Sequence, residues 1–254
     1  MYGEFAQVYD RLMDDVDYDA WAAHYAHLMG LCARPVRRVA ECACGTGSLT
    51  VRLARMGYEM TGLDLSQAML ERAAEKARHA GVRVTLARQD MRGLTLGRRV
   101  DAVLCTCDGV NYLTGEGDAA AFFRAAYAAL RPGGGLFFDV STAHKLRDVL
   151  GNAFFGEERD DVCYLWQSRY DAAARVAEMD VTFFVREADG RYRRFRELHR
   201  QRAYETDELE AALRAAGFCG VRMYGGQTLQ APCAQDERIH LAAFRPPETE
   251  EESV

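Results

Sequence analysis

No apolar run in this sequence approaches the roughly 20 residues that a membrane-spanning helix needs, so membrane partners are not expected. Cationic excess is missing too. Lysine and arginine number 32 against 38 acids, a formal net charge of −6. That balance, with no appended RNA-binding domain, argues against nucleic acid as a partner. Zinc-type cysteine spacing is absent among the 8 cysteines. Cys42/Cys44 and Cys105/Cys107 are Cys-x-Cys pairs inside apolar strands. They read as buried free thiols in a reducing compartment, and no metal is expected. Met1–Asp19 carries acids and no apolar core, so no signal peptide and a cytoplasmic location are expected.

What is present is ample material for a core. The chain has 254 residues, 49% hydrophobic, enough for one large domain or one domain with an insertion. It is organised around residues 38–50. Val39 and Ala40 open a strand, Gly45 and Gly47 interrupt it, and Leu49, Leu53 and Met56 follow at helical spacing. A glycine turn between strand and helix lets backbone N–H groups approach a ligand.

The order of elements follows from the same patterns. Met1–Leu31 reads as a helical extension, with Tyr2, Tyr9, Tyr18 and Trp21 in an acidic setting that includes Asp10 and Asp17. It is either a packed helix pair or a lid over the glycine turn. Tyr58–Leu65 is a second strand, Ser66 an N-cap and Gln67–His79 a helix ended by Gly81. Val82–Ala87 and Val100–Cys107 are strands three and four. Ala119–Leu130 is a helix, Arg131–Gly135 a turn and Leu136–Val140 strand five. Alternating strands and helices predict right-handed βαβ units and a doubly wound α/β sheet, mostly parallel. Ligands of such sheets bind beyond the carboxyl ends of the strands.

Gly45-x-Gly47 with Asp64 downstream also resembles the start of a dinucleotide fingerprint, which leaves a nicotinamide-dependent oxidoreductase open. However, Thr50 replaces the third small residue, and Glu41 would repel a pyrophosphate while suiting an ammonium group. The ordered set Glu-Cys-Ala-Cys-Gly-Thr-Gly, Gly-Leu-Asp-Leu-Ser, Gln-Asp-Met and Leu-Arg-Pro-Gly-Gly, spanning 38–140, resembles the class I S-adenosylmethionine-dependent methyltransferases. Phe5-Ala6-Gln7-Val8-Tyr9-Asp10 is similar to the opening of a bacterial subgroup with an antiparallel β insertion after strand five. Sugar N-methyltransferases share that layout. Ala43 departs from the pattern, standing where the family usually has glycine.

The resemblance implies a Rossmann-like methyltransferase sheet and S-adenosylmethionine as cofactor, with S-adenosylhomocysteine as product. It implies Glu41 near the cofactor's amino-acid end, and Ala43, Cys44, Gly45, Thr46 and Gly47 lining it. It implies Asp64 at the ribose hydroxyls, Leu65 flanking the adenine, Asp90 accepting the adenine amino proton with Met91 nearby, Cys107 beside the methionine portion, and Met69 and Gln89 as further cofactor-binding residues.

The rest of the chain should choose the acceptor. Val162–Tyr170, Arg175–Arg186 and Arg191–Tyr204 read as three antiparallel strands, with Asp189-Gly190 as a hairpin turn. Alternation puts Phe195, Glu197, His199 and Gln201 on one face and Arg194, Arg196, Leu198, Arg200 and Arg202 on the other. Glu205–Ala216 is a helix, and Phe218–Tyr224 with Arg238–Phe244 an antiparallel pair closing the sheet. The expected organisation is a helical lid (1–34), a cofactor core (35–150 and 205–245), an acceptor-side β insertion (151–204) and a disordered tail (246–254). Tyr9 and His199 are the candidate catalytic groups, His199 because an unperturbed imidazole titrates near neutrality. Asp108, Asn111 and Tyr112 are the candidate substrate contacts. The expected reaction is in-line methyl transfer to a nitrogen or oxygen of a small molecule. Methylation of an RNA nucleoside and a non-catalytic cofactor-binding module are the alternatives. Oligomeric state is not legible.

Overall fold

A computed structural model describes residues 3–248. Tyr2 and the tail segment 249–254 lie outside the described residues. The core is a seven-stranded sheet of order β10-β11-β5-β4-β1-β2-β3. Its parallel strands are β1 (Arg38–Cys42), β2 (Glu59–Asp64), β3 (Val84–Arg88), β4 (Val100–Cys105) and β5 (Leu130–Ser141). The antiparallel pair β10 (Cys219–Gly225) and β11 (Arg238–Phe244) closes one edge. All six residues of β4 are buried, as strands covered on both faces require.

Helices cover both faces. α1 (Tyr9–Leu12) is a single turn, and α2 (Tyr18–Met29) and α3 (Ser48–Arg55) bring Tyr25, Leu28, Leu49 and Leu53 onto one face. α4 (Gln67–Ala80) packs beside α3 and along β2 and β3. α5 (Asp118–Ala129) and α6 (Thr206–Ala215) bring Phe122, Phe123, Leu209 and Leu213 onto the other. The expected N-terminal helix is broken at 13–17, because Asp17 turns out to cap α2, accepting the N–H groups of Asp19 and Ala20. Ser66 caps α4 as expected, accepting the Met69 N–H at 3.3 Å.

The insertion is a separate antiparallel sheet of order β6-β7-β8-β9: β6 (Phe154–Glu158), β7 (Val162–Asp171), β8 (Val176–Arg186) and β9 (Tyr192–Arg202). Its first strand was not expected. β6 is a half-exposed edge strand with two acids, and only its pairing with β7 defines it. Strand five also starts earlier than expected. Leu130 pairs with Val100, Gly135 with Ala102, and the intervening Arg-Pro-Gly-Gly bulges out of the ladder. The expected faces of β9 hold. Phe195, His199 and Gln201 are buried, while Arg196 and Arg200 pair with Asp180 and Glu178 on the exposed side. Among the described residues no helix is long and apolar enough to cross a membrane.

Candidate active site

Strand order reverses between β1 and β4, whose carboxyl ends meet at Cys42 and Cys105. Beyond β1 comes the glycine loop. Ala43 takes a left-handed φ of 52°, which costs an L-residue roughly 1–2 kcal/mol and explains why glycine suits this position. Gly47 stands at φ 72°, and a Cβ on it would lie 2.9 Å from the Cβ of Ala73. A Cβ on Gly45 would meet no atom within 4 Å, so the loop faces open space there.

Asp64 ties the loop to β2. Its carboxylate accepts the Gly45 N–H at 2.9 Å and the Ser66 N–H at 2.8 Å. Burial raises its pKa against those bonds. Its neighbour Leu65 is 60% exposed, an apolar surface beside the loop. Behind the loop, buried Glu41 accepts from the hydroxyls of Thr106 (3.2 Å) and Thr50. Burial lifts its carboxyl to about 7 despite both hydroxyls.

Past β3, Gln89 is spent on the Thr95 main chain, accepting its N–H at 2.8 Å and donating to its carbonyl at 3.1 Å. Asp90 accepts from the Arg92 guanidinium, which holds its carboxyl below the usual range. Met91 Sδ lies 3.7 Å from Cys105 Sγ. Met69 is buried in the first turn of α4.

Past β4, Cys107 and Asp108 turn the chain at φ 54° and 65°. Asp108 accepts from Ser141 Oγ at 3.0 Å and pairs with Arg238. Burial pushes its pKa up, but Arg238 and Lys145 prevail and hold it low. Asn111 donates to the carbonyls of Ser141 (3.0 Å) and Arg202 (2.9 Å) and accepts the Ser141 N–H at 2.9 Å. Fully buried, it fastens β5 and β9 together and offers nothing to an acceptor, which corrects the expectation that it contacts one.

Across from this turn, His199 Nδ1 lies 3.2 Å from the Tyr112 hydroxyl, and its ring packs edge-on to Phe5. Burial drives the imidazole pKa from 6.5 to about 4, so the ring is neutral at neutral pH. Tyr9 is half-buried beside Tyr18, Cys107, Tyr112 and Asp108, and desolvation pushes its phenol well above its ordinary range. The expectation of a general base at His199 rested on its unperturbed pKa, and burial removes that ground. Both groups are neutral hydrogen-bonding groups.

Several residues of this region were missed. Asp10 Oδ1 accepts from Thr46 Oγ1 (2.6 Å) and Lys76 Nζ (2.9 Å), and Lys76 also donates to Ser48 Oγ at 2.6 Å. This binds the N-terminal segment to the glycine loop. Thr50, Thr106, Asp139 and Arg238 were missed as well. Asp139 had a signal, as the one acid in the apolar run Leu136–Val140. Lys76 had none, since its partners lie far away in sequence. Among the described residues no cluster of His, Cys, Asp or Glu is placed to hold a metal.

The residues present fit S-adenosylmethionine. The space at Gly45, the carboxylate of Asp64 and the exposed Leu65 form an open cradle at the carboxyl edge of the sheet, with buried Glu41 behind it. A methyltransferase-domain family profile matches residues 39–134. The chain is 35% identical over 245 residues to YqeM of Bacillus subtilis (strain 168), provisionally named a methyltransferase, covering 96% of each chain. It is 27% identical to a dTDP-3-amino-3,4,6-trideoxy-alpha-D-glucopyranose N,N-dimethyltransferase of Streptomyces venezuelae, over 88% of this chain and 93% of that one. Its fold matches the crystal structure of an S-adenosylmethionine-dependent methyltransferase from Clostridium acetobutylicum ATCC 824, with a TM-score of 0.88, 31% identity and coverage of 96% and 99%. The sequence motifs, the doubly wound sheet and these similarities agree: the chain belongs to the class I S-adenosylmethionine-dependent methyltransferases.

Proposed function

We propose that the protein methylates a small-molecule amine held between the glycine loop and the inner face of the β6–β9 sheet. The observation that carries this reading is the similarity, over nearly the whole chain, to an enzyme named as an amino-sugar N,N-dimethyltransferase. In this reading residues up to 34 serve as a lid, 35–150 and 205–245 as the cofactor core, and 151–204 as the acceptor side. The main chain of Ala43–Gly47 lines the cofactor, Asp64 takes the ribose hydroxyls, Leu65 flanks the adenine and Asp90 its amino group. Glu41 and Cys107 lie toward the methionine end. S-adenosylmethionine bound there supplies an electrophilic methyl group on a sulfonium.

Tyr9, Tyr112 and His199 then orient the acceptor nitrogen. Being uncharged, His199 adds no repulsion to a cationic cofactor or ammonium product. Holding nucleophile, carbon and sulfur in line can supply about 7–11 kcal/mol. A neutral amine needs no proton removed before attack, so an uncharged His199 and an un-ionised Tyr9 are compatible with nitrogen as the nucleophile. The test is calorimetric titration of S-adenosylmethionine and S-adenosylhomocysteine into wild type and Asp64→Ala, followed by a methylation screen of amines, alcohols, carboxylates and RNA transcripts. We expect binding that Asp64→Ala abolishes, and turnover on an amine. Turnover confined to hydroxyl, carboxylate or RNA acceptors would overturn the proposal.

A further inference from the structure

The turn after β4 sits between the cofactor cradle and the acceptor side, and neither of its left-handed residues is glycine. Cys107 and Asp108 stand at φ 54° and 65° in succession. Such a conformation persists only where its surroundings over-determine it. One side chain does most of this. Asp139, fully buried near the carboxyl end of β5, accepts the Cys107 N–H at 2.7 Å with Oδ1 and the Asp108 N–H at 3.1 Å with Oδ2.

Asp139 is itself held from two further elements. Tyr25 of α2 donates its hydroxyl to Oδ1 at 3.1 Å, and Arg238 of β11 pairs with Oδ2. Arg238 also reaches Asp108 and lies 5.3 Å from the centroid of the Trp21 ring. The clamped turn abuts the glycine loop, because a Cβ added to Gly109 would meet Cys105 Sγ at 2.5 Å and the Cβ of Ala43 at 3.2 Å. The turn continues through Gly109–Tyr112 to the hydroxyl that meets His199. One carboxylate thus sets the spacing between the loop at Ala43 and the Tyr112–His199 pair.

We infer that Asp139 is a positioning residue for methyl transfer: it clamps the β4 turn against the glycine loop, fixing the cofactor's methionine end relative to the acceptor. The inference rests on the placement of the cofactor proposed above. Asp101 provides a control at the opposite end of the sheet, with both of its backbone partners on one oxygen, Oδ2. It too is a buried acid accepting two successive backbone N–H groups, those of Arg37 and Arg38 at 3.0 Å each, with arginines beside it.

The experiment measures S-adenosylhomocysteine affinity by calorimetry, with melting temperature, for wild type, Asp139→Asn, Asp101→Asn, Tyr25→Phe and Asp64→Ala. At Asp139 the two N–H groups bond to different oxygens, so an amide there can serve only one of them, whereas at Asp101 one amide oxygen can still accept both while the ion pairs to the arginines are lost. Asp139→Asn is expected to bind at least tenfold more weakly, while Asp101→Asn melts lower but binds as wild type. In 15N spectra the Cys107 and Asp108 amides should shift in Asp139→Asn alone. If Asp139→Asn does not fold, Tyr25→Phe, which removes one donor to Asp139, should weaken binding about threefold. Wild-type affinity in a folded Asp139→Asn, or in Tyr25→Phe where that variant must stand in, overturns the inference. Equal losses in Asp139→Asn and Asp101→Asn overturn it too. Unchanged affinity in Asp64→Ala would instead refute the cofactor placement, and the contrast between Asp139→Asn and Asp101→Asn would still decide the clamp.

Discussion

Replacing Glu41 by glutamine tests the electrostatics of the cradle through stability, with no acceptor needed. The carboxyl moves from an ordinary 4.5 to about 7 on folding, chiefly by burial. A raised acid favours the folded state only while protonated. Stability is therefore fully present below pH 4.5 and is lost as pH rises toward 7, after which it levels off. The shift amounts to about 3 kcal/mol. Glutamine is isosteric and does not titrate. The hydroxyl facing its NH2 group, that of Thr50 or Thr106, turns round to accept. Wild type and Glu41→Gln should therefore differ little near pH 5, and by pH 8 the variant should be the more stable by up to about 3 kcal/mol. Urea unfolding followed by tryptophan fluorescence at pH 5, 6, 7 and 8 measures this directly. Parallel pH profiles for the two proteins would refute a buried, titrating Glu41. With the cofactor placed as proposed, the sign should reverse: a cation beside Glu41 favours the ionised form, so affinity for S-adenosylmethionine should rise with pH through 7 in wild type. Glu41→Gln should lose that dependence.

Two further changes probe how the cradle is built. Gly62→Ala would place a Cβ 2.9 Å from Leu86 Cδ2 and 3.0 Å from Cys44 Sγ. Overpacking of this kind should cost about 1–3 kcal/mol, read as a lower urea midpoint at unchanged slope. Lys76→Met removes the ammonium that joins Asp10, Thr46 and Ser48. Since Asp10 is 43% exposed, the stability loss should stay near 1 kcal/mol or below. Hydrogen exchange should nevertheless quicken in residues 5–12, and unchanged protection there would show that the segment's apolar contacts and its ties to the insertion through Glu4 and Arg11 suffice to hold it.

The sequence by itself determined the parallel core. Apolar runs such as Val100–Cys105 suit only strands covered on both faces, and glycines at 45 and 47 mark the strand-to-helix turn, open at Gly45 and closely packed against Ala73 at Gly47. The helices at 67–80 and 206–215 followed from capping and periodicity, which are local. The edge strand Phe154–Glu158 and the bulge at 131–134 escaped because pairing across the sheet, not local preference, creates them. The chemistry of the site divided the same way. The placement of Glu41, Asp64 and Asp90 at the carboxyl ends of β1, β2 and β3 was legible because the strand pattern puts them there. The charge states of Glu41 and His199 were not, since burial sets them, and burial is a property of the folded assembly. Nor was the clamp formed by Tyr25, Asp139 and Arg238, whose three residues come from α2, β5 and β11 and meet only when the sheet closes.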